Sequence, residues 1–155
     1  MARTPVNVLV LPYRRRAEGP AEYAIFLRAD GSEPCWQGVA GGAEDVETPL
    51  EAARRELNEE TGLSPAIDRW IALDTRGSVP ASAFADWRQW GPETFVVHEH
   101  TFGVDVSDGH DVALSDEHGE FRWLAFGAAS ALLRYDSNRT ALWELNERLA
   151  RRARA

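Results

Sequence analysis

Three glutamates, Glu56, Glu59 and Glu60, stand at i, i+3 and i+4 in a stretch with helical signals, so their carboxylates converge within about 100° of arc. Like charges at that spacing repel by roughly 0.2–0.5 kcal/mol per pair, and many acidic helix faces are simply solvated. These three, however, fall in the last turn, where the helix dipole is negative and a carboxylate is least comfortable. A hard divalent cation would relieve them: Mg2+ binds through a few carboxylates together with substrate phosphates. The chemistry this opens is hydrolysis at phosphorus, with the cation lowering the pKa of a water and clamping phosphoryl oxygens.

The element that must hold these side chains is well marked. Thr48 can cap a helix, Pro49 suits its first position, Glu51 completes a Thr-x-x-Glu capping box, and Gly62 is the stop. Leu50, Ala53 and Leu57 form the apolar stripe that faces a core. Arg55 lies four residues before Glu59 and can fix a carboxylate rotamer with its guanidinium fork. Ahead of the helix, Cys35 to Gly42 reads as a short strand running into a glycine-rich loop that lets the backbone approach a ligand.

The spacing Gly41-x5-Glu47-x7-Arg55-Glu56-Leu57-x-Glu59-Glu60-x-Gly62-Leu63 resembles the box of the Nudix (MutT-like) hydrolases at every fixed position. That resemblance implies an enzyme cleaving a nucleoside diphosphate linked to a further group, with Mg2+ or Mn2+ held by Glu56, Glu59 and Glu60 and by the backbone carbonyl of Ala40. It leaves the base that orients or deprotonates water as either Glu56 or a later-loop glutamate, for which Glu117 is the choice, and puts Glu44 and Glu47 beside or facing the metal. Trp36-Gln37, the Glu117-His118 pair and Ser137-Asn138-Arg139 are similar to segments of one subgroup, the dihydroneopterin triphosphate (or dATP) pyrophosphohydrolases. On that likeness Trp36, Gln37, Arg28 and Asn138 are candidate substrate contacts, with Trp36 stacking on a flat ring, and pyrophosphate is the product. Dinucleoside polyphosphates, oxidised nucleotides and nucleotide sugars remain alternative substrates; a nucleotide-sensing module without catalysis is the alternative of another class.

The rest of the chain supplies a frame. Strands are expected at 6–13, 22–28, 67–76, 95–106 and 120–125, with Asp30-Gly31-Ser32 as a turn. A long connection, 77–92, carries Trp87 and Trp90 as plugs under a flap or as a stacking wall, and 107–118 is a second, acidic loop. His98 and His100 are expected on a wet strand face. Helices follow over 128–133 and from Ser137-Asn138 onward, the latter with Ala141, Leu142, Leu145 and Leu149 on its core side. The expected class is α/β: an α/β/α sandwich with a mixed central sheet, as one domain over residues 1–155.

Charge narrows the partners. Residues 43–60 hold seven acids and two arginines, net −5, out of −8 for the whole chain, which argues against a nucleic-acid binder. A phosphorylated small molecule can approach such a site once a cation reverses its sign. The single cysteine, Cys35, rules out an internal disulfide and suits a reducing, cytoplasmic setting. No apolar run is long enough for a membrane span. Monomer and homodimer are equally compatible with the sequence.

Overall fold

The computed structural model describes residues 2–31 and 33–154; Ser32 of the expected Asp30-Gly31-Ser32 turn lies outside them. Strand β1 (Arg3–Arg14) is the spine, rich in valine and leucine and buried on both faces from Asn7 to Tyr13. One edge runs parallel to β6 (Val96–Asp105), in register from Val6↔His98 to Tyr13↔Asp105, and β6 in turn pairs antiparallel with the edge strand β5 (Trp70–Pro80). The other edge is shared. Near its end β1 pairs with β2 (Glu22–Arg28) as the opening hairpin, whereas its earlier part pairs with β4 (Val39–Glu44).

The chain reaches β4 from β3 (Trp36–Gln37), which pairs with β2. Gly38 is the crossing point between the two pairings, and a Cβ there would lie 2.7 Å from the Val10 carbonyl oxygen. Because β4 and β2 take different stretches of β1, the sheet forks, and β7 (His118–Leu124) lines the far side of β2.

Alternation along β1 divides the core. Val8 and Val10 pack with Ala52, Ala53 and Leu57 of α1 (Pro49–Thr61), while Leu9, Leu11 and Tyr13 pack on the opposite face with Ala141, Leu142, Leu145 and Leu149 of α3 (Asp136–Arg154). The short α2 (Phe126–Leu132) joins the α3 side through Ala129. This is the expected α/β/α sandwich with a seven-stranded mixed sheet. No helix among the described residues is long and apolar enough to cross a membrane.

Two expectations about connections fail. Gly41 and Gly42 belong to strand β4 rather than to a loop. Residues 77–80 extend β5, paired as Gly77↔Glu99 through Pro80↔Val96, and Pro80 is tolerated because β5 has a free edge. The flap is therefore residues 81–95, with 3-10 turns at Ala81–Ala83 and Trp87–Trp90. Trp90 is its plug: its indole Nε1–H donates to the Arg3 carbonyl at 2.8 Å and its ring tilts against Phe84.

Candidate active site

The helix that carries the acids is capped as its sequence requires. Thr48 Oγ1 accepts from the Glu51 N–H, the Glu51 carboxylate accepts from the Thr48 N–H, and Gly62 turns out at φ 76°. Arg55 then locks the helix to the end of β4. Its guanidinium makes a bidentate pair with Glu47 at 2.8 and 3.0 Å, reaches the Gly42 carbonyl at 2.9 Å, and touches Glu56 at 2.9 Å and Glu59 at 3.2 Å. The expected Arg55–Glu59 contact exists, but it is the weakest part of this clamp. The Glu47 hydrogen bonds hold Arg55 well above its usual range and hold Glu47 below the usual carboxylate range.

The three glutamates do not converge as expected. Glu56 and Glu60 are buried, at 9% and 2% relative exposure, whereas the Glu59 side chain is 57% exposed with Arg55 as its partner. Helix geometry explains the split: measured from Ala53, Glu60 lies at about −20° and Glu56 at about −60°, flanking the core stripe, and Glu59 at about −120° has left it. Glu56 lies over Gly41 so closely that a Cβ on that glycine would sit 2.1 Å from the Glu56 carboxyl carbon. Burial raises both acids. Arg55 opposes the rise at Glu56, and Glu60 is pushed up to about 7 by burial, with His118 opposing and the neighbouring Glu117 and Glu56 adding to it.

The acidic loop before β7 is pinned to the end of this helix. Ala113 and Ser115 donate their N–H groups to the Thr61 and Glu60 carbonyls, at 2.9 and 3.2 Å, satisfying last-turn acceptors that a helix leaves open. The Glu117 carbonyl accepts from the Ala29 N–H at 2.9 Å. Glu117 is thereby brought to the box helix, with ligand atoms of Glu60, Glu117 and His118 all within 4.8 Å of one another. His118 was not read from the sequence as part of the site; its Nε2 lies 2.9 Å from Glu60 Oε2 with both side chains buried.

Glu56 and Glu117 open onto a cleft of about 600 Å³ at the fork of the sheet, whose other walls include Arg3, Asn7, Arg28, Ala40 and Phe84. Arg28 is held there by a bidentate pair with Asp30. Ala40 also lines the cleft. A smaller cavity of about 390 Å³ lies elsewhere, near Arg69 and Asp105, and none of the box carboxylates reaches it.

Three expected substrate contacts have other employment. Trp36 is a core residue, 8% exposed, with the Arg122 guanidinium 4.7 Å over its ring, so it offers no free face to a ligand. Gln37 is buried beside it in β3. Asn138 Oδ1 accepts from the Gly38 N–H at 2.9 Å, the donor left over where the chain crosses from β2 to β1. His98 is exposed and His100 half-buried, and neither lines the cleft.

The wall the sequence did not reveal is a polar row across four strands, Gly77–Glu99–Asn7–Gly42, in register on the α3 side. Arg3 Nη2 donates to Asn7 Oδ1 at 2.8 Å, and Asn7 Nδ2 donates to buried Glu99 at 2.7 Å. Gly42 makes room for Arg3, since a Cβ there would lie 2.4 Å from Arg3 Nε. Phe84 covers the guanidinium at 4.5 Å. Burial lowers the Arg3 pKa and raises that of Glu99. The signal that could have found Glu99 is strand alternation, which sets it on the face opposite His98 and His100.

A family model described as NUDIX domain matches residues 3–144. The chain belongs to the NUDIX family. A dihydroneopterin triphosphate diphosphatase of Escherichia coli is 28% identical over 141 residues, covering 90% of this chain and 91% of that one. An RNA pyrophosphohydrolase of Roseobacter denitrificans is 32% identical over 137 residues, covering 78% and 82%. Among solved structures, a chain from Listeria monocytogenes described as a NUDIX hydrolase superposes with a TM-score of 0.82 at 38% identity, covering 96% of this chain and 97% of that one. The protein is thus a Nudix pyrophosphohydrolase by family.

Nudix enzymes generally use divalent metals, and the residues present fit one. The carboxylates of Glu56, Glu60 and Glu117 would offer hard oxygen donors, and Glu56 and Glu60 are raised by burial beside like charges. The lack of a side chain at Gly41 is what gives the Glu56 carboxylate its place, since a Cβ there would overlap both of its oxygens.

Proposed function

We propose that this Nudix enzyme hydrolyses a phosphoanhydride of a nucleoside or pterin triphosphate and releases pyrophosphate, with Mg2+ or Mn2+ as the ion. The observation that carries the reading is the meeting of Glu56 and Glu117, with Glu60 behind them, at a cleft that also presents Arg3 and Arg28. Glu56 and Glu60 hold the ion, with the Ala40 carbonyl beside them and Glu59 at the rim. The ion, when bound, polarises a phosphoryl oxygen and acidifies a water. Glu117, exposed and free of an arginine clamp, orients that water and accepts its proton, whereas Glu56 has one oxygen committed to Arg55. Arg3 from the wall opposite Glu56, and Arg28 from beside Glu117, bind the phosphates, and Phe84 gives the heterocycle an apolar wall.

The dihydroneopterin triphosphate diphosphatase relatives support a pterin or purine triphosphate; the RNA pyrophosphohydrolase relatives support a triphosphate at an RNA end. The net charge of −8 favours the free small molecule. A panel of dihydroneopterin triphosphate, dATP, GTP, a 5′-triphosphorylated RNA, a dinucleoside polyphosphate and a nucleotide sugar, assayed with Mg2+ for phosphate and pyrophosphate separately, tests this. Pyrophosphate from a free triphosphate is the expected result. Preference for the RNA or the dinucleotide by kcat/KM overturns the substrate reading, and no turnover of any member favours a sensing module. We place the enzyme in the cytoplasm, as a monomer or homodimer.

A further inference from the structure

His118 opens β7 with its ring against Phe26, centroids 5.3 Å apart, and its side chain is almost wholly buried. Among the described residues its side chain makes one hydrogen bond, Nε2 to Glu60 Oε2, while its Nδ1 is buried without a partner. The tautomer with its hydrogen on Nε2 is the one that leaves no buried donor unmet, so the imidazole donates and the carboxylate accepts. A side chain serving only to fill this pocket would be better apolar, because half of the imidazole's hydrogen-bonding capacity goes unmet there. What the ring does is direct one oxygen of a buried acid. Its chain neighbour Glu117 reaches the same acid, so a single step of chain places one residue behind Glu60 and one in front of it.

We propose that His118 is a positioning residue of the cation site: its Nε2–H fixes Oε2 of Glu60 and so sets the direction in which Oε1 is presented beside Glu117. The inference rests on the cation reading above. A buried carboxylate without this donor is free to turn into other rotamers, and the partners that orient metal ligands commonly change affinity about 10- to 100-fold when removed.

The test uses the full chain stripped with EDTA, Mn2+ titration followed by electron paramagnetic resonance, and thermal melts in EDTA. His118→Leu is expected to weaken Mn2+ binding about 10- to 100-fold while melting in EDTA close to wild type. His118→Gln, whose amide nitrogen can reach the place of Nε2, is expected to restore most of the affinity; His118→Asn, which mimics Nδ1, is not. Wild-type affinity in His118→Leu overturns the proposal, and so does equal weakness in the Gln and Asn variants, a comparison that stands even where the Leu variant fails to fold. Nitrogen coupling from a coordinated imidazole in the pulsed spectrum of the wild-type Mn2+ form would make His118 a ligand and overturn it too. A wild-type protein that binds no Mn2+ overturns the cation reading itself.

Discussion

The two walls of the cleft are built by opposite strategies. The acidic wall comes mostly from one run of chain: Glu47, Arg55, Glu56 and Glu60 lie within a capped helix and the turn before it, and Arg55 makes five contacts there, four to Glu47, Glu56 and Glu59 and one to the Gly42 carbonyl of β4. The opposing wall gathers Arg3 and Asn7 from β1, Glu99 from β6 and Phe84 from the flap, residues up to 96 positions apart in sequence (Arg3 to Glu99) yet linked in one chain of contacts. Chemistry common to a family can be encoded locally, in a spacing that a helix converts into geometry. Recognition of a particular substrate would then fall to the sheet, where neighbours are chosen by register.

If the walls divide labour in this way, the largest effect belongs to the acidic one. Glu60→Gln is expected to lower kcat at least about 100-fold, since Gln keeps size and helix propensity but removes the charge proposed to hold the ion. A folded variant with near-normal kcat in steady-state assays would take Glu60 out of the site. The same acid makes a pH prediction. Its folded pKa of about 7 lies above its ordinary 4.5, so between those values the native protein keeps a proton that the unfolded chain has lost. Metal-free stability is therefore greatest below about pH 4.5 with respect to this group and declines as pH rises to about 7, by roughly 3 kcal/mol. Mg2+ needs the ionised form, so it should raise the melting temperature more at pH 8 than at pH 5. Melts in EDTA and in Mg2+ at both pH values check this, and Glu60→Gln in EDTA should lack the decline.

That asymmetry also decided what the sequence made legible. Thr48, Pro49, Glu51 and Gly62 act within a few residues of themselves, and the structure has them as caps. The division of Glu56 and Glu60 from Glu59 was in principle readable from helix angles, because the buried sector extends past the Ala53–Leu57 stripe toward Glu56. The valine-rich β1 and the apolar side of α3 carried the sandwich. Trp36 misled because an aromatic beside a glycine segment suits a ligand wall as well as a core, and only the packing of α2 and α3 decides. Asn138 looked like a cap or a ligand contact, and what occupies its oxygen is a strand crossover 100 residues earlier. Pairing register, which sets Asn7 beside Glu99, leaves no trace in either segment alone.

The division of roles within the acidic wall is the next place to break. Glu117→Gln is expected to reduce kcat about 10- to 1000-fold and to leave stability in EDTA nearly unchanged, because the side chain is exposed while its backbone does the docking. Single-turnover rates with saturating Mg2+ measure it. If Glu56→Gln carries the whole loss and Glu117→Gln stays within a few-fold of wild type, the base belongs to the box helix and the acidic wall is more local still.

The smallest expected effect is on the opposing wall, and it separates contact with substrate from docking of the flap. Phe84 both lines the cleft and covers Arg3, while Trp90 anchors the flap through its hydrogen bond to the Arg3 carbonyl. Removing the Phe84 ring leaves that anchor in place, so Phe84→Ala should raise KM about fivefold, the equivalent of about 1 kcal/mol of ring contact, with kcat within about twofold. Trp90→Phe keeps an aromatic plug but loses the N–H, and should cost about 1 kcal/mol of stability with little change in KM. Steady-state kinetics and urea melts on the two variants give opposite patterns if recognition and docking are separable. A fall in kcat for Phe84→Ala approaching that of Glu60→Gln would mean that the sheet-built wall also sets the geometry of the reacting phosphate, and the contrast between the walls would collapse into one site.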